Sequence, residues 1–141
     1  MIVFFDTSVL VPVFYGDHPK HTAALDLFRK VTRRNACCAA HSAVELYSVM
    51  TRLPVKPRIP PEQAMLFIEN LAERVRLITL EPDEYIEALR SASEKGIAGG
   101  TVYDALILAC ARKSKARAIY TNNIRELAKI APDLEQRLRS V

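Results

Sequence analysis

The chain opens on Ile2-Val3-Phe4-Phe5, an apolar run of strand formers that stops at Asp6, the pattern of a strand buried on both faces of a parallel sheet. From Lys20 onward Ala23, Ala24, Leu27, Phe28 and Val31 keep helical spacing, with Arg29, Lys30, Arg33 and Arg34 in or after the last turn, where cations complement the dipole. Ala36 to Ala40 is a second, weaker apolar run, leading into a helix predicted from Ser42 to about Arg52. The proline-rich connection from Leu53 to Pro61 sets Pro61 at the first position of a helix running to about Arg74. Val75 to Leu80 reads as a third strand, Pro82 to Lys95 as a helix closed by Gly96, and Thr101 to about Lys113 as another, very apolar helix. Ala118 to Thr121 is a fourth strand, and Asn123 to Val141 is helical in pattern with a break at Pro132.

Strands alternating with helices predict an α/β fold, a three-layer α/β/α sandwich around a parallel sheet of four to five strands. Ligands of such sheets sit beyond the carboxyl ends of the strands. Four segments place polar groups there: Asp6, Glu45, Asp104 and Thr121-Asn122-Asn123. Three carboxylates at one pole repel one another unless a cation neutralises them, and oxygen-only ligands suit magnesium or manganese. Such an ion can coordinate a phosphate oxygen and acidify a water, which is the chemistry of phosphodiester hydrolysis. Each acid also has a purely structural reading. Ser42-x-x-Glu45 and Thr101-x-x-Asp104 both have capping-box spacing, and Asp6 could cap a helix or form a turn. Caps fall on helices starting at either end of a sheet, so joint placement at one pole points to a site.

The length of 141 residues, half of them hydrophobic, suits one domain over 1–141 with a substantial core. No uncharged stretch is long enough to span a membrane and no basic leader precedes Ile2, so a cytoplasmic protein without membrane association is expected. Three cysteines, two of them adjacent at Cys37-Cys38, build neither a disulfide framework nor a zinc spacing, and read as small core residues. The net charge of +4 permits an anionic partner without requiring one. Arg112, Lys113, Lys115 and Arg117 follow a helix end and read first as dipole complementation. His18, His21 and His41 read as packed or solvated rather than ligating. Ser8 has no base and no G-x-S-x-G elbow, and Gly99-Gly100 reads as a tight turn rather than a phosphate cradle.

Three segments taken together, Phe5-Asp6-Thr7-Ser8-Val9-Leu10, Ser42-Ala43-Val44-Glu45-Leu46 and Gly100-Thr101-Val102-Tyr103-Asp104-Ala105-Leu106-Ile107, give a chain that resembles the PIN-domain family over nearly its whole length. The likeness is to the VapC-type toxin ribonucleases of type II toxin–antitoxin pairs in particular. The resemblance implies a magnesium-dependent endoribonuclease acting on RNA, with Asp6, Glu45 and Asp104 as catalytic metal-binding acids. It implies Ser8 and Thr121 as supporting residues that orient water or the carboxylates, a homodimer, and a cognate antitoxin whose tail blocks the acidic pocket. Where the family often has a fourth acid in a T-x-D segment, this chain has Thr121-Asn122-Asn123. Asn123 would supply a neutral oxygen or hold a water, which favours one magnesium over two. That departure motivates an alternative, a catalytically silent PIN-like domain that binds RNA or protein. A phosphotransfer domain with Asp6 as nucleophile is a further rival, but it lacks the D-x-D pattern and a placed lysine.

Overall fold

Five short strands carry the sheet in this computed structural model, which describes residues 1–141. β1 (Val3–Phe5), β2 (Ala36–Ala39), β3 (Arg76–Ile78), β4 (Ala118–Tyr120) and β5 (Leu138–Arg139) are all parallel, in the order β3-β2-β1-β4-β5. The helices are α1 (Thr7–Phe14), α2 (His21–Arg29), α3 (Ala40–Arg52), α4 (Pro61–Arg74), α5 (Pro82–Glu94), α6 (Val102–Ser114) and α7 (Ile124–Ile130). A 3-10 turn, Gly99–Thr101, leads into α6, and another, Pro132–Arg137, joins α7 to β5. The fold is the three-layer α/β/α arrangement predicted from the alternation of strands and helices.

The two-residue repeat of a strand explains why β1 is apolar throughout. Val3 and Phe5 point into a core shared with Leu10, Phe28, Leu46 and Leu71, contributed by α1 to α4. Phe4 points the other way, into a core with Leu108, Leu127 and Leu134 from α6, α7 and the second 3-10 turn. Beside β1, β2 offers only the small residues Ala36, Cys37, Cys38 and Ala39, all fully buried, which leaves room for the phenylalanines. The Phe5 ring lies 6.5 Å from that of Phe28 and 5.9 Å from that of Tyr120. All three cysteines are free and buried; burial raises the Cys37 and Cys38 thiols and pushes Cys110 up to about 11, so they act as packing groups.

The chain departs from the sequence expectation in three places. Residues after Asp6, to which the sequence pattern assigns no element, form α1 with Pro12 inside it. The β-branched run and the proline hide this helix, because both weigh against helical conformation in local propensity. α3 begins at Ala40 rather than Ser42, so Ser42 sits inside the helix as its third residue. The tail is not helical to its end: after Pro132 it tightens to a 3-10 turn and returns to the sheet as β5, with Leu138 beside Ile119. A two-residue strand is too short for any alternation of apolar and polar positions to announce it.

Candidate active site

From β1 the chain works outward to β2 and β3, covering one face with α1 to α4, then crosses back past β1 to lay down β4 and β5 under α6 and α7. β1 and β4 are therefore neighbours whose connections run in opposite directions, and a crevice opens at the carboxyl ends of such a pair. Register sets Phe5 beside Tyr120, so the next residues, Asp6 and Thr121, emerge side by side. The Asp6 N–H continues the ladder to the Tyr120 carbonyl at 2.9 Å.

Asp6 is 3% exposed, and a buried carboxylate needs donors around it. The Ser8 hydroxyl donates to its Oδ2 at 2.7 Å and the Thr121 hydroxyl to the same oxygen at 2.8 Å. No buried side-chain nitrogen or oxygen in the protein lacks a partner, so the unbonded Oδ1 is the atom open to the site. Thr121 is in turn fixed by the Asn123 N–H, which donates to its Oγ1 at 2.9 Å.

Glu45 reaches the same pole from α3. The Thr7 Oγ1 lies 2.8 Å from Ser42 Oγ and 2.9 Å from Glu45 Oε1. An ionised carboxylate only accepts, so the Thr7 proton goes to Glu45 and the Ser42 hydroxyl serves Thr7. Ser42 lies past the helix start and caps nothing, and Thr101 makes no side-chain cap bond at the start of α6. The capping-box readings of Ser42-x-x-Glu45 and Thr101-x-x-Asp104 therefore do not explain these acids. The capping box of this chain lies elsewhere, where the Glu81 N–H donates to Glu84 Oε1 at 2.8 Å.

Asp104 stands in the first turn of α6, half-buried. Burial raises its carboxyl above the ordinary aspartate range, and the negative charges of Asp6, Glu45 and Glu126 raise it further. Asp104 thus feels the charge of the other three acids. Glu126, in the first turn of α7, is the member that reading the sequence missed. Position 123 drew attention as the missing acid, and there Asn123 is exposed and makes no side-chain cap bond. The signal was the spacing Asn123-x-x-Glu126, which becomes informative once α7 is known to start at Ile124. Thr7 was missed as well, because its helix was, and Asn122 was named within its segment but given no role of its own.

The donor set is all oxygen and carries negative charge that no nearby cation relieves at Asp104, which fits a hard divalent ion. No three acid, histidine or cysteine side chains close on one point as a finished cage. An open set suits magnesium, which keeps several waters and takes one or two carboxylates directly. His41, four residues before Glu45, stacks on the exposed ring of Tyr103 with centroids 5.4 Å apart and planes 2° from parallel.

Comparison with known proteins places the whole chain. The chain is 33% identical over 114 residues to Ribonuclease VapC40 of Mycobacterium tuberculosis, a span covering 81% of each protein. The crystal structure of Mycobacterium tuberculosis VapC20, described as a toxin cleaving the sarcin-ricin loop, superposes with a TM-score of 0.71 at 18% identity, covering 89% of this chain and 93% of that one. VapBC2 of Rickettsia felis, bound to a DNA fragment from its promoter, superposes at 0.65 with 20% identity, covering 99% of this chain and 98% of the other. The PIN domain family matches residues 3–132, a span that includes Asp6, Glu45, Asp104 and Glu126, and the chain belongs to that family.

Proposed function

We propose that this chain is a magnesium-dependent endoribonuclease, the toxin of a type II toxin–antitoxin pair, acting as one domain over residues 1–141. The observation that carries the reading is the placement of Asp6, Glu45, Asp104 and Glu126 around one crevice, with Asp104 raised by burial and then by the charge of the other three. Family membership and the ribonuclease name of the VapC40 relative supply the substrate class. Asp6, through its open Oδ1, Glu45 and Asp104 would hold the ion, with Glu126 adding negative charge beside them. When bound, magnesium supplies positive charge that draws in a phosphodiester and acidifies a water for in-line attack.

The remaining work belongs to the chain. Ser8 and Thr121 hold Oδ2 of Asp6 so that its other oxygen keeps one direction. Thr7 holds Oε1 of Glu45, leaving Oε2 to accept the proton of the attacking water, while the ribose oxygen that leaves phosphorus takes a proton from solvent. Glu126 contributes the charge that position 123 does not, which counts against the catalytically silent alternative.

An antitoxin partner is supported by the VapBC assemblies among the solved structures of like fold. Exposed apolar side chains, Val44 on α3, Leu66 on α4 and Leu89 on α5, give that partner and a second copy of the chain surfaces to bury. The test of the central reading is cleavage of mixed cellular RNA by wild type and Asp104→Asn, with magnesium and with EDTA, the products being sequenced. Discrete products that need both magnesium and Asp104 are expected; intact RNA throughout, or cutting that survives Asp104→Asn, sinks it.

A further inference from the structure

α2 begins with a charge on the unfavourable side of its dipole. Lys20 is the residue just before its first turn, where the partial positive charge of a helix start opposes a cation. The ammonium nevertheless points along the protein: its Nζ donates to Asn122 Oδ1 at 2.9 Å. Asn122 is held at its other end, its Nδ2 donating to the Ser8 carbonyl at 2.7 Å and its N–H to Ser8 Oγ at 2.9 Å. That carbonyl is available because Pro12, four residues further along α1, has no N–H to bond it. Ser8 Oγ then donates to Asp6, so the chain Lys20–Asn122–Ser8–Asp6 runs from the ammonium to the buried acid.

Lys20 has no acid partner. The three ion pairs of the protein are Glu87–Arg90, Arg112–Asp133 and Glu84–Lys113. A half-buried ammonium that forgoes a carboxylate, opposes a helix dipole and is steered by a neutral amide toward the acid pole has two of its three protons left for something else. A compact point charge of this kind reads phosphate rather than a base edge.

We infer that Lys20 is a substrate-positioning residue that grips the RNA backbone phosphate next to the one being cut. Two side chains, Asn122 and Ser8, separate its ammonium from Asp6, so it cannot share a phosphate with an ion held there, and the neighbouring phosphate of the same strand is the anion within its reach. The inference rests on the nuclease reading for the direction of the strand but has its own readout, which is binding.

The experiment uses Asp104→Asn protein in EDTA, so that nothing is cut, with a fluorescently labelled single-stranded RNA titrated across a salt series. Adding Lys20→Gln is expected to weaken binding about fivefold to tenfold at low salt and to flatten the slope of log affinity against log salt by about 0.7. Lys20→Arg is expected to restore both, and Arg117→Gln, which removes the same charge just before β4 at the far end of the sheet, to leave both unchanged. In the magnesium-dependent wild-type background, Lys20→Gln is expected to raise KM with kcat kept. Unchanged affinity and slope in Lys20→Gln overturn the proposal, as does an equal loss in Arg117→Gln, which would reduce Lys20 to net charge. Weakened binding at Lys20→Gln in a protein whose wild type cuts nothing upholds the grip of Lys20 on an RNA phosphate and removes the nuclease reading alone.

Discussion

Asp6 and Asp104 face one crevice from opposite kinds of support. Asp6 leaves the end of the central strand, is buried, and has one oxygen satisfied by the hydroxyls of Ser8 and Thr121. Asp104 sits on the first turn of a helix, half-exposed, and what dominates its surroundings is burial and the charge of three other acids. The difference teaches where the site stores its demand for a cation. The protein itself meets the needs of Asp6 and so fixes its direction, whereas at Asp104 the cost of ionisation is left for an outside charge to relieve. On the proposed reading, a rigid half and an unrelieved half together would make a site that is shaped before an ion arrives yet gains by its arrival.

The first way to break this contrast is to neutralise the rigid half. Asp6→Asn keeps an oxygen to accept from Ser8 and Thr121, so unfolding temperature is expected to stay within a few degrees while RNA cleavage falls by about a thousandfold or more. A thermal scan paired with a cleavage assay reads both, and substantial activity in this variant removes Asp6 from the site. Next comes the ion itself. At about a hundred times its dissociation constant, magnesium is expected to stabilise wild type by about 2.7 kcal/mol. Asp104→Asn should show little of that gain, since the unrelieved charge is gone, and an equal gain in both proteins would mean the ion binds elsewhere.

A smaller effect is expected from the support of Asp6. Thr121→Val removes a donor from a buried carboxylate and should cost about tenfold to a hundredfold in activity or metal affinity, with Thr121→Ser close to wild type. The smallest concerns Asp104 without metal. Because its folded-state carboxyl is raised, the native protein holds the proton longer than the unfolded chain, and stability falls as pH rises through the range from the ordinary aspartate value to the raised one. Asp104→Asn should erase that slope in metal-free protein and add up to about 1 kcal/mol near neutral pH, a figure kept low because the group is partly solvated. Urea melts at several pH values measure it, and a slope that survives in the variant assigns it to another group.

Much of this contrast was legible before any fold was known, and the part that was not has a physical cause. Asp6 could be placed because the apolar run before it is long enough to read as a buried strand and ends on it. Glu45 and Asp104 could be assigned to the starts of helices, but spacing alone could not separate a cap from a site. That needed α3 to begin at Ala40, which carries Ser42 past the capping position. Thr7 stayed hidden because Pro12 and its β-branched neighbours disguise α1. Glu126 stayed hidden because attention fell on the residue type at position 123 rather than on the turn that follows it. Lys20 was counted with a helical pattern, and its bond to Asn122 spans 102 residues of sequence, a separation over which no local pattern speaks.

The pairing of Phe5 with Tyr120 has a consequence for how such a chain can change over time. Strand side chains alternate between faces, so gaining or losing one residue between Val3 and Asp6, or between Ala118 and Thr121, would swing the acid or its hydroxyl partner into a packed core. Substitutions within these strands need only preserve volume, but their lengths are fixed to the single residue. The connections are held less strictly: in the segment from Leu53 to Pro60, outside both strands and helices, Leu53 and Ile59 pack on the first core, but no strand register fixes the number of residues.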